Sequence, residues 1–312
     1  MTRCFYKAIS PWLLLAALFW TVPVFADQSS ELRQAAAIDD VDTVERLLDA
    51  GVNVDSPSKY GKTALMFAVE NGNILTASVL LSRGANVNAV TVAGCTPLTF
   101  AAENGEVELS ALLLERGADM TAKTRAGWNS LIVASRYGLT DMVEQLLFKG
   151  AATEETDKAG ETALISAARY GHTKSVELLL KHKANVKAVD SHGKTALSHA
   201  AENGHVAVMR TLIAAGADVN HRDADGATPL IWAATHGNTE ALQLLLAHGA
   251  AVNAQDNDGL VALSEAVMVR SVDSVKLLLE AGADIKIHDK SGKSPESLAH
   301  SSRSAAIRKL FP

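Results

Sequence analysis

Arg136-Tyr137 and Arg169-Tyr170 stand 33 residues apart, and each joins a planar guanidinium, able to grip a carboxylate through two donors, to a rigid amphipathic ring. That is recognition chemistry rather than catalysis. The same slot elsewhere reads Glu70-Asn71, Glu103-Asn104, Glu202-Asn203, Thr235-His236 and Met268-Val269, so two cationic, aromatic copies lie between acidic flanks. Arg125 and Trp128 precede the first pair; Lys158 and Glu161 precede the second. Arg125, Trp128, Arg136, Tyr137, Lys158, Glu161, Arg169 and Tyr170 form the candidate partner-binding set, and exchange of both Arg-Tyr pairs for the sister Glu-Asn is expected to leave the fold intact.

Other reactive types lack partners at useful spacing. All ten histidines follow residue 171, but none falls in an HExxH pattern, and His172 and His205 recur after a glycine, as structural residues would. His192, His199 and His236 are candidates for lining the C-terminal part of a groove and making it sensitive to pH. Cys95 is expected at the tip of a turn, exposed, with nothing beside it to lower its pKa. One thiol cannot build a structural zinc site. No phosphate loop, nucleophile elbow or paired-carboxylate site is present, so no catalytic residue, metal or cofactor is assigned.

The first 26 residues, MTRCFYKAISPWLLLAALFWTVPVFA, carry Arg3 and Lys7, an apolar run from Trp12 to Val22, then Val24-Phe25-Ala26. This order predicts a secretory signal peptide over 1–26, with a mature chain from Asp27. Its removal leaves 27 Lys plus Arg against 35 Asp plus Glu, a net charge of −8. Such a balance disfavours nucleic acid as a partner. Cys4 would leave with the signal, so Cys95 would have no internal disulfide partner, and no later segment is long enough to insert in a bilayer.

The elements that must carry these residues are set by a repeat. Gly61, Gly94, Gly127, Gly160, Gly193, Gly226, Gly259 and Gly292 are spaced by 33 residues, opening phrases such as GKTALMFA, GCTPLTFA, GETALISA and GATPLIWA. A second glycine follows eleven residues later in six copies, and a third near the end of most. The first suits a tight turn, and Thr63, Thr96, Thr162, Thr195 and Thr228 are placed to cap a short helix, with Pro97 or Pro229 at its first position. The second glycine ends that helix. An apolar pattern such as Val176, Leu178, Leu179, Leu180 then predicts a second one. Lys183 and Arg270 replace glycines of this pattern, where a left-handed backbone would cost about 1 kcal/mol each, so a slightly different turn is expected at both, with a soft joint as the alternative. Aromatic residues make up only 5% of the chain, which fits small helices stacked closely through alanine.

The pattern G-x-TPL-x-x-A-A-x-x-G-H…LL-x-x-GA-x-V-N resembles the ankyrin repeat across essentially the whole mature chain. The resemblance implies an all-α solenoid of about nine helix-turn-helix units with projecting β-hairpin turns, and a concave side that binds proteins. It implies no chemistry. Residues 27–58 are expected to form an N-terminal capping repeat, 59–289 seven full repeats, and 290–312 a C-terminal capping repeat. At roughly 8 to 10 Å per helix layer the array would extend ~80 Å, offering a surface rather than a pocket. The expected function is an exported, monomeric scaffold, periplasmic or else extracellular, that binds a protein partner in its groove. A secreted effector or toxin-neutralising protein acting through the same groove is the alternative.

Overall fold

A computed structural model describes residues 28–312. The expected signal peptide, and Cys4 with it, lies outside the described residues. Within them, helices come in consecutive antiparallel pairs, and they fall into two units that divide between Val133 and Ala134. The first unit contains α1 (Gln28–Ala37), α2 (Val41–Asp49), α3 (Ala64–Glu70), α4 (Ile74–Ser82), α5 (Pro97–Asn104) and α6 (Val107–Glu115). The division falls inside α7 (Ser130–Tyr137). The second unit continues with α8 (Thr140–Phe148), α9 (Ala163–Arg169), α10 (Thr173–Lys181), α11 (Ala196–Glu202) and α12 (Val206–Ala214). It ends with α13 (Pro229–Thr235), α14 (Thr239–Ala247), α15 (Ala262–Met268), α16 (Val272–Glu280), α17 (Pro295–Ser301) and α18 (Ala305–Arg308).

Within each unit the odd-numbered helices form one layer and the even-numbered ones the other. In the first, α1 packs on α3 and α3 on α5; in the second, α9, α11, α13, α15 and α17 follow one another in the same way. The odd helices approach through alanine: Ala68 and Ala101 in the first unit, and Ala167, Ala168, Ala200, Ala201, Ala233 and Ala234 in the second, are all fully buried. Leucines of the even helices, such as Leu80, Leu179, Leu212 and Leu245, fill the space between layers. Each such side chain contributes roughly 1.5–3 kcal/mol by leaving water.

The helix starts follow the threonines. Thr96 makes a capping box with Thr99, while Thr162, Thr195 and Thr228 accept from the backbone N–H groups of Ile165, Ser198 and Ile231. Thr63 departs from this expectation: it occupies the cap position, but its buried hydroxyl makes no cap bond. Lys183 and Arg270 keep the positive φ of the glycines they replace, 65° and 61°, so the turn is unchanged there and the expectation of a different turn is corrected; Asp39 at 59° is a third such residue.

The turns are stitched rather than laddered. Residues 91 and 95, 190 and 194, 223 and 227, and 256 and 260 each close a loop with one backbone bond. A second bond links successive turns, as in Val92 to Tyr60, Ser191 to Ala159, Ala224 to His192 and Asn257 to Asp225. Two bonds per turn are too few for a strand. Among the described residues the only bridge is Val189 with Thr195. No helix of the described residues is long and apolar enough to cross a membrane.

Candidate functional site

Each turn is braced by a side chain three residues before its first glycine. In the first unit this is Ser58, Thr91 or Thr124, whose hydroxyl accepts backbone N–H bonds. In the second unit it is Asp157, Asp190, Asp223, Asp256 or Asp289, with Oδ1 accepting two N–H groups at 2.8–3.0 Å. Bracing by Oδ1 leaves Oδ2 for another partner. Nine residues on, on the odd helix, the partner differs in each copy: His199 Nε2 donates to Asp190 at 2.8 Å, and Trp232 Nε1 donates to Asp223 at 2.7 Å. Trp232 is therefore half-buried and hydrogen-bonded to the turn.

A second set of contacts runs from the residue after the first glycine to the C-terminal end of the odd helix, eight residues on. Lys62 bonds Glu70, and its ammonium also lies over the rings of Phe67 and Phe100, 5.0 and 4.7 Å from their centroids. Lys194 bonds Glu202 at 2.8 Å and sits 3.2 Å from the Trp232 centroid. Between these copies, Glu161 and Arg169 make the same pair with the charges exchanged. Burial works against the Arg169 charge, but the Glu161 carboxylate outweighs it and raises the guanidinium pKa.

These contacts revise the candidate set. Glu161 is only 3% exposed and is held by Arg169, so it is not a projecting tip. Changing Arg169 to Glu would set two carboxylates against each other, which corrects the expectation that the exchange is neutral to the fold. Trp128 is half-buried rather than fully exposed, its main chain closing the turn with Thr124. Arg125 and Lys158 are exposed. Arg125 and Trp128 belong to the first unit; Arg136, Tyr137, Lys158, Glu161, Arg169 and Tyr170 belong to the second. Within the second, the Arg136 guanidinium stacks over the Tyr170 ring, 4.5 Å from its centroid, and Tyr170 is 39% exposed.

Cys95 is buried at 1% exposure, which overturns the expectation of an exposed thiol. The statement about its pairing rests on Cys4 and falls outside the described residues. His172 and His205 are structural as expected, donating from Nε2 to the carbonyls of Arg136 and Arg169 at 3.0 and 3.1 Å. His192 and His236 are exposed, but His199 is not. The first unit also carries an open, shallow cleft of about 500 Å³ lined by Arg33, Gln34, Tyr60, Lys62 and Phe67.

Sequence reading missed one cluster. Glu161, Asp190 and His199 come from three different slots and converge with ligand-type atoms within 4.8 Å of one another. Burial pushes the His199 pKa down, against the pull of Asp190. Burial alone would raise that of Asp190, but bonds from His199 and from the backbone of Lys194 and His192 hold it below the ordinary carboxylate range. Both shifts favour a charged aspartate beside a neutral imidazole. The only advance signal was that a buried histidine and a turn aspartate stand nine residues apart.

A family model described as ankyrin repeats in three copies matches residues 32–124, 131–223 and 209–289. Over 56 residues the chain is 41% identical to an ankyrin repeat, SAM and basic leucine zipper domain-containing protein 1 from Echinops telfairi. That stretch is 18% of this chain and 12% of the relative, so the chain matches a small part of that protein's length.

Proposed function

The chain belongs to the ankyrin-repeat family, whose arrays serve as protein–protein interaction scaffolds, and from that premise we propose that it is an exported scaffold holding one protein partner on its groove face. The observation that carries the choice of surface is the stack of Arg136 on Tyr170. A guanidinium held over a ring face joins positive charge to apolar area on one surface. An acidic or amide-rich protein surface suits it. Tyr137 and the exposed Lys158 extend this surface within the second unit. Arg169 contributes by fixing Glu161 and the helix end that carries Tyr170. Arg125 and Trp128 of the first unit enter the proposal as sequence neighbours.

Export is proposed from Arg3, Lys7, the apolar run and Val24-Phe25-Ala26, with the periplasm as destination and Asp27 as the mature N-terminus. No catalysis is assigned to the chain.

A photoreactive residue at position 170, compared with one at the exposed Glu144 on α8, tests the reading in exporting cells. The same protein should be trapped from position 170 and not from 144. The trapped partner is then titrated against Arg136→Glu with Tyr170→Asn, a change that uses residues of sister repeats and leaves the Glu161–Arg169 pair alone. Affinity should fall by at least about 2 kcal/mol, roughly thirtyfold. Unchanged affinity with a parental melting curve would remove the stack from the binding surface.

A further inference from the structure

We propose that Glu161, Asp190 and His199 bind one divalent transition-metal ion of the zinc class. The three side chains are 3%, 8% and 3% exposed and bring their donor atoms within 4.8 Å of one another. A tetrahedral zinc with bonds of about 2.0–2.1 Å sets ligand atoms about 3.4 Å apart, so the widest pair must close by no more than about 1.4 Å. One imidazole with two carboxylates suits Zn²⁺ or Co²⁺ better than Ca²⁺ or Mg²⁺, which take oxygen ligands in larger number.

The imidazole supplies an independent reason. His199 Nε2 bonds Asp190, while its Nδ1 is buried without a hydrogen-bond partner, 3.7 Å from Glu202 Oε2. A neutral ring that donates from Nε2 turns a bare Nδ1 lone pair toward a carboxylate. A metal on Nε2 moves the ring proton to Nδ1, which faces Glu202 Oε2, the oxygen that Lys194 also bonds, and would donate to it once the 3.7 Å separation closes. Carboxylate, histidine and metal in that order is how a second carboxylate orients a ligating imidazole. The orphaned acceptor thus becomes a donor turned toward a carboxylate.

Arg169 opposes the ion electrostatically and weakens the site, but it does not occupy every ligand. It holds Glu161 Oε1, while Oε2 has only Ser166 Oγ at 3.4 Å. Asp190 keeps its turn through Oδ1 and would ligate through Oδ2. Equivalent slots elsewhere do not reproduce the set. They hold Lys62, Thr91 and Phe100 in the first unit, and Lys194, Asp223 and Trp232, or Ala227, Asp256 and Glu265, in the second.

The test uses the full chain, stripped with a chelator and titrated with Zn²⁺ alone. One ion per chain should bind with a rise of several degrees in Tm, and Co²⁺ should give the visible absorption of a tetrahedral site. In His199→Phe, which places there the residue that sister repeats carry as Phe67 and Phe100, affinity should drop at least tenfold. Asp190→Asn, which retains Oδ1, provides a second variant. Proton-detected imidazole spectra should show His199 changing from an Nε2–H to an Nδ1–H ring when zinc is added. Equal zinc binding by parent and both variants, which would assign the metal to the other nine histidines, overturns the proposal. So does a parent whose Tm ignores zinc.

Discussion

An aspartate in a turn of the second unit has one oxygen committed to the backbone, and what meets the other decides the chemistry of that repeat. Asp190 meets an imidazole and Asp223 an indole N–H, both donors. Asp256 has Glu265 at the same place, nine residues on. Burial raises the Glu265 pKa, Asp256 raises it further, and a hydrogen bond from Thr235 and the nearby His236 oppose both. A carboxyl whose pKa is raised on folding stabilises the protein fully below its unfolded value, 4.5, and that contribution is lost as pH rises through the folded value. At neutral pH, Glu265 is therefore a buried acid beside another acid. Glu265→Gln, which keeps the shape without the charge, should melt at a higher temperature than the parent at pH 7. Thermal scans across pH should show the difference closing as pH falls below 4.5. A constant difference at all pH values would place the effect in packing instead.

At the scale of the element, an ion pair clasps the start of each polar repeat to the end of its odd helix, eight residues away. Lys62–Glu70 and Lys194–Glu202 run one way; Glu161–Arg169 runs the other. Arg169→Glu should cost about 2 kcal/mol, below the 3–5 kcal/mol of a fully buried pair because the arginine is half exposed. Adding Glu161→Lys restores the sister arrangement and should recover most of that loss. A double-mutant cycle in urea measures the coupling, and two additive single losses would show that the clasp does not hold. The helices, their caps and their order were legible in the sequence because Gly, Pro, Thr and Ala act locally on the backbone at a fixed period. The clasp was less so. Its two ends lie on different elements, and only a side-by-side comparison of Lys62, Glu161 and Lys194 with Glu70, Arg169 and Glu202 exposes the exchange of sign. The Arg-Tyr pairs therefore looked like two equal recognition residues, whereas Arg169 closes an internal pair and Arg136 stacks on the ring of the next repeat. Beyond the nine-residue spacing of Asp190 and His199, the convergence of Glu161 with them was not legible. It depends on how one turn lies over the next helix, a relation set by the backbone bond from Ser191 to Ala159 rather than by either segment alone.

Across the described residues, stability is built from neighbour contacts, since helices of each unit pack on those of adjacent repeats and successive turns bond to one another. In such an array, damage spreads from its origin with declining force instead of unfolding every part at once. Ala167 provides a point of entry. It is fully buried on α9, which packs against α10 and α11, and an aspartate there would place an unpaired carboxylate where only a methyl group fits. That costs several kcal/mol. Ala167→Asp should therefore abolish amide-exchange protection in α9, α10 and α11, while α1 and α3, held by their own core of Leu32, Ala36, Leu65 and Met66, keep parental protection. Native-state hydrogen exchange followed by fragment mass distinguishes the outcomes. If protection vanished equally in α1 and α11, the chain would be one cooperative block and the nearest-neighbour account would fail. If α9 stayed protected, Ala167 would not be the close contact through which the odd helices meet.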